Sequence, residues 1–122
     1  RYDTRFFVAA LPPGQVPAHD DRETTAGHWL TPAAALAAYA AGELQLAPPT
    51  LRTLNELCAC PTLDAVRALQ VGPPPRIEPQ AASVDGELHL LLPGDAGYQP
   101  PGPGRDRIVL RAGRWVDDGP EA

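Results

Sequence analysis

Residues 28–50, HWLTPAAALAAYAAGELQLAPPT, decide how the rest of the chain is read. Thr31-Pro32 is a helix start: a hydroxyl suited to capping free N–H groups, then a proline at the first helical position, where no amide hydrogen is needed. Seven alanines with Leu36 and Tyr39 carry the helix up to Gly42, which sits where a C-terminal stop belongs. After GELQLAPP, Thr50 reads as the cap of a second helix with Leu51, Leu54, Leu57 and Cys58 on one face. Thr62 reads as the cap of a third, short helix with Leu63, Val66 and Leu69 at the same spacing. All three apolar stripes are read as core-facing.

Towards the N-terminus, residues 2–11 (YDTRFFVAAL) alternate loosely and are rich in aromatic and β-branched side chains, which predicts a strand buried at its distal end. Pro12-Pro13-Gly14 ends it, and GQVPAHDDRETT is a polar loop. TAGHWL (25–30) is expected to be a second short strand, with Trp29 packed between sheet and helix.

Towards the C-terminus the character changes beyond GPPP (72–75). QAASV-DG-ELHLLL is a hairpin signal, because Asp-Gly suits the two positive-φ positions of a type I′ turn. A loop follows, PGDAGYQPPGPG, in which eight of twelve residues are Pro or Gly. RIVL-RAG-RWV then reads as a second hairpin or a strand pair. The predicted class is α+β, divided into 1–71, a Pro-rich linker at 72–75, and a β-hairpin extension at 76–122 too short to hold a core by itself.

All ten basic residues are arginine, and the net charge is −5. That balance argues against general binding to nucleic acid or an anionic membrane, since phosphate surfaces demand clustered positive charge. No aliphatic run approaches the roughly 18 residues of a membrane span. Met is absent, so the chain is expected to be an internal or C-terminal piece of a longer protein. Cys58 and Cys60 are too close for an unstrained disulfide, and the three histidines lie far away in sequence, so free thiols and a reducing, cytoplasmic setting are expected. His19, Asp20, Asp21 and Glu23 together have the ligand types of a metal site, but their irregular spacing favours a solvated loop.

RYDTRFFVAALPPGQ, Glu23 and HWLTPAAALAAYAAGELQLAPPT, in that order, resemble the C-terminal half of a Nudix hydrolase. The nearest branch is the bacterial one similar to peroxisomal coenzyme A diphosphatases. The phrases D-T-R-F-F, W-x-x-P-x-x-A-L and L-x-P-P-T-x-x-x-L carry the resemblance over about residues 1–57. It implies part of a Nudix-like α/β/α sandwich with a mixed sheet and flanking helices.

It also implies metal-dependent cleavage of a diphosphate linkage in a nucleoside-diphosphate derivative, with a coenzyme A-like substrate in view. Mg²⁺ or Mn²⁺ would be held by glutamates of a Nudix box that this sequence lacks, in an N-terminal half of the same protein, and a homodimer is common in the family. Within that frame Glu23 is the candidate general base, although a solvated loop charge explains it as well. Arg5 is a candidate for bidentate diphosphate contact, or else a surface partner of Asp3. Thr50 would line the pocket. The alternative to the hydrolase is a non-catalytic Nudix-like binding or interaction module.

Overall fold

Local rules account for the three helices of the computed structural model, which describes residues 4–18, 27–69 and 73–120. Helix α1 (Pro32–Ala41) starts on the Thr31 hydroxyl, which accepts from the Ala34 amide at 3.2 Å. It stops at Gly42, whose φ of 81° lets its amide turn back to the carbonyls of Ala38 and Tyr39. Helix α2 (Pro48–Cys58) opens two residues before the expected cap. Ala47 is its N-cap and makes no side-chain capping bond, while Thr50 lies inside the first turn. Two prolines with φ preset for the helix and no amide hydrogen start it without a hydroxyl. In α3 (Leu63–Ala68) the Thr62 hydroxyl accepts from Ala65 N at 3.1 Å, as expected.

Strands β1 (Gln80–Val84), β2 (Glu87–Leu91), β3 (Arg107–Arg111) and β4 (Arg114–Asp118) form an antiparallel meander in the order β1-β2-β3-β4. Both hairpins close on two residues of positive φ: Asp85 and Gly86 at 51° and 83°, Ala112 and Gly113 at 49° and 77°. That geometry matches the right-handed twist of the strands it joins. The α+β class expected from the sequence is what forms.

Helices and sheet share one apolar cluster. Leu51 from α2, Leu92 and Ile108 are its buried centre, with Leu36, Tyr39, Leu46, Leu90 and Trp115 packed around it. The period-2 alternation of a strand explains the selection: Leu90 pairs with Ile108 and Leu110 with Trp115, so all four point to the helix side. Residues on both sides of 72–75 therefore contribute to the same cluster.

Three expectations are corrected. Residues 4–11 and 27–30 are not strands. Phe6 and Phe7 are 58% and 84% exposed, and Trp29 is 75% exposed rather than packed under a helix. A strand is defined by its hydrogen-bonded partner, and no strand among the described residues lies beside either segment. The stripe of α3 is not core either, since Leu63 and Leu69 are mostly exposed. A six-residue helix capped correctly still needs a neighbour to cover it.

Candidate functional site: a buried acid–arginine network

The Pro/Gly-rich loop at 93–106 folds against the outer face of the sheet, away from the helices. Its turns are held internally: Ala96 N donates to Gly104 O at 2.7 Å and Gly102 N to Asp95 O at 2.8 Å. A Cβ at position 102 would run into the Gly94 backbone, so this crossing admits glycine alone. Side chains fasten the loop to the sheet edge. Gln80 and Gln99 exchange two hydrogen bonds of 2.9 Å, and the Tyr98 hydroxyl donates to Glu78 O at 3.0 Å.

Asp95 is the centre of this arrangement and is fully buried. Its Oδ1 accepts from Gly97 N at 2.7 Å and from Arg107 Nη2 at 2.6 Å. Its Oδ2 accepts from Asp106 N at 2.9 Å and from Arg107 Nε at 2.7 Å. Burial alone would raise its pKa. The hydrogen bonds from Arg107, Asp106 and Gly97 and the charge of Arg107 outweigh it and lower the value from 3.8 to about 2.

The Arg107 guanidinium continues to His89, with Nη1 3.3 Å from Nδ1. Arginine only donates, so Nδ1 accepts and the imidazole proton sits on Nε2. That Nε2 is buried, has no hydrogen-bond partner among the described residues, and lies 3.9 Å from Glu87 Oε2.

A second arginine works on the other face. Asp106 and Arg107 are neighbours, so strand alternation sends them to opposite sides. Asp106 meets Arg52 of α2 at 2.5 Å, and Arg52 also reaches Asp117 Oδ1 at 3.0 Å. The latter contact is ionic without a hydrogen bond, whereas Asp117 Oδ2 accepts from Asn55 Nδ2 at 2.9 Å. At the rim Arg105 Nε donates to Asp118 at 3.0 Å, which lowers the Asp118 pKa. Arg114 lies over the Tyr39 ring, 4.9 Å from its centroid, and caps α1 by donating to the carbonyls of Ala40 and Tyr39. An open groove of about 410 Å³ runs beside this pair, between Leu36, Tyr39 and the Trp115 side of β4.

The residues proposed from the sequence lie elsewhere. Asp3, Glu23, His19, Asp20 and Asp21 are outside the described residues. Arg5 is exposed in a segment without regular secondary structure, and Thr50 is half-buried in α2. No hydrogen bond or ion pair among the described residues joins them. Asp95, Arg107, His89 and Arg52 belong to no functional motif legible in the sequence. The only local signal was D-A-G at 95–97, the pattern of a side chain accepting from the amide two residues on.

A divalent cation does not fit this donor set. Each buried carboxylate already carries an arginine, whereas Mg²⁺ or Mn²⁺ demands converging free oxygens. Among the described residues no group of three His, Cys, Asp or Glu is placed to hold a metal. Cys58 and Cys60 are free thiols, and no described helix is long and apolar enough to cross a membrane.

An α+β domain with a four-stranded antiparallel meander, stitched by arginine–carboxylate pairs, is the class that fold and site define. The chain is similar to the acyl-coenzyme A diphosphatase NUDT19 of Gallus gallus, 31% identical over 129 aligned residues. The match covers 97% of this chain and 33% of that relative, so the chain spans about a third of the relative's length. No family model matches, and no solved structure matches.

Proposed function

We propose that this chain is a portion of a Nudix-type hydrolase that cleaves a diphosphate linkage in a nucleoside-diphosphate derivative, with a coenzyme A-type compound as substrate. The similarity to the acyl-coenzyme A diphosphatase carries this reading, because it extends over 97% of the chain rather than over one motif. The activity belongs to the whole protein, and the Mg²⁺ or Mn²⁺ it requires is held by acids outside the described residues.

This chain contributes scaffold and pocket wall. The arginine–carboxylate network makes α2, the sheet and the 93–106 loop one stiff unit, which suits a wall that positions substrate. In this reading Arg5, which is exposed and precedes Phe6 and Phe7 in sequence, is the candidate diphosphate contact, and Asp3 and Thr50 are further candidates for substrate binding. Glu23 is the candidate general base. The exposed Phe6, Phe7 and Trp29 then face other strands and helices of the same protein.

The test uses the protein that carries this chain. It is incubated with coenzyme A, NADH or ADP-ribose and Mg²⁺ or Mn²⁺, and products are separated by chromatography. Cleavage of coenzyme A is the outcome expected. No product from any of the three leaves the non-catalytic binding module as the reading. Arg5→Ala is expected to raise KM at least tenfold, the scale of one lost charged contact. Glu23→Gln is expected to lower kcat, and unchanged turnover removes that residue from the mechanism.

A further inference from the structure

His89 is a buried titratable group for which the catalytic reading has no use. It is 4% exposed, on the outer face of β2, with Ala82 of β1 and Val109 of β3 as its cross-strand neighbours. Beyond Val109 the β4 residue is Val116, so no charge meets the ring from either flank of its own row. The charged groups around it come from further along the sheet and from the loop. Arg107 of β3 faces Nδ1 at 3.3 Å, and Asp95 of the loop holds the rest of that guanidinium. Glu87 of its own strand lies 3.9 Å from Nε2, beyond hydrogen-bond length, and its carboxylate already accepts from Arg111 of β3 at 3.2 Å.

Arg107 thus makes two attachments at once. Nε and Nη2 hold Asp95, on which the 93–106 loop closes, while Nη1 donates to His89. The second attachment exists only while Nδ1 keeps a lone pair. A further proton on the ring sets N–H against N–H and places an imidazolium beside a guanidinium in a buried site, where like charges repel most. Glu87 offsets this only by leaving Arg111. We propose that this contact makes the 93–106 loop an acid-released latch: the closed loop admits only the neutral His89 ring, and protonation of that ring frees the loop from the sheet. The latch does not depend on the catalytic reading.

Opening brings His89, Asp95 and Arg107 into water, where an imidazole titrates near about 6.5. A proton taken up by the open loop and refused by the closed one favours opening as pH falls. The effect is absent above about pH 7.5 and grows about tenfold per unit below about pH 6.5. Asp95 stays out of this window, because a carboxyl at 3.8 when free and about 2 when closed takes up protons only in stronger acid.

Hydrogen exchange of the protein that carries this chain tests the latch. Peptides from 93–106 are read by mass spectrometry from pH 7.5 to pH 5, with correction for the intrinsic pH dependence of exchange. The amides of Ala96, Gly97, Gly102 and Asp106 report opening, because each donates to an acceptor within the closed loop. Their opening constant is expected to exceed that of the β2–β3 ladder and to rise about thirtyfold across the range. In His89→Asn, Oδ1 takes the place of Nδ1 as acceptor and never protonates, so the rise is expected to vanish. His89→Gln is the neutral replacement if that variant does not fold. A flat profile in the parent overturns the proposal. So does a rise that survives the neutral replacement, or a loop that opens only together with the β2–β3 ladder.

Discussion

Replacing Asp95 by Asn keeps its shape and removes its charge, and the consequence follows from four hydrogen bonds. All four partners of the carboxylate are donors: Gly97 N and Arg107 Nη2 on one oxygen, Asp106 N and Arg107 Nε on the other. An Asn amide offers one oxygen, so whichever side receives its NH₂ sets donor against donor. Arg107, only 13% exposed, is left without a counter-charge. Breaking a buried pair in this way costs about 3–5 kcal/mol.

Part of that cost has a pH signature. The Asp95 pKa falls from 3.8 in the unfolded chain to about 2 when folded. A depressed carboxylate stabilises the fold above its unfolded pKa and loses that contribution as pH falls towards its folded value. The difference is worth about 2.5 kcal/mol at neutral pH, fully present above about pH 5 and lost progressively down to about pH 2. Urea unfolding, followed by tryptophan fluorescence across that range, measures both quantities. Asp95→Asn is expected to lose about 3–5 kcal/mol at pH 7 and to show a flatter acid limb than the parent. A loss below about 1 kcal/mol, or an unchanged acid limb, refutes the reasoning.

Other substitutions follow from single observations. Ala112 holds a φ of 49° in the second hairpin turn, so Ala112→Gly is expected to stabilise the chain by about 0.5–1 kcal/mol in thermal unfolding. Thr31→Ala removes the cap of a helix packed into the core and costs about 1 kcal/mol of global stability. Thr62→Ala removes the equivalent bond from a surface helix, and its effect is expected in local amide exchange around α3 rather than in global unfolding. Trp29→Ser is expected to change the stability of this chain by less than about 0.5 kcal/mol, because Trp29 is 75% exposed.

What could be read correctly was local. The Thr31 and Thr62 caps, the Gly42 stop and the Asp85-Gly86 turn each depend on residues within four positions, so chain order contains the information. Thr50 misled because proline offers a second way to start a helix. The network escaped notice because its members lie far apart: Arg52 joins Asp106 across 54 positions, and Asp95 joins Arg107 across 12. Nothing in an arginine's neighbours along the chain says which carboxylate it will meet.

The sequence by itself determined the α+β class, the turn chemistry of the first hairpin and the N-caps of two helices. Tertiary structure decided which segments became strands and which acids were buried. Residues 4–11 have the composition of a strand, yet a strand exists only beside another, and the sheet formed here is built from 80–118. Asp95 sits in a loop that composition marks only as rich in proline and glycine, yet it is fully buried, with Arg107 on the sheet beneath it. Pairing and charge neutralisation are properties of positions in space, which is why only the folded chain displays them.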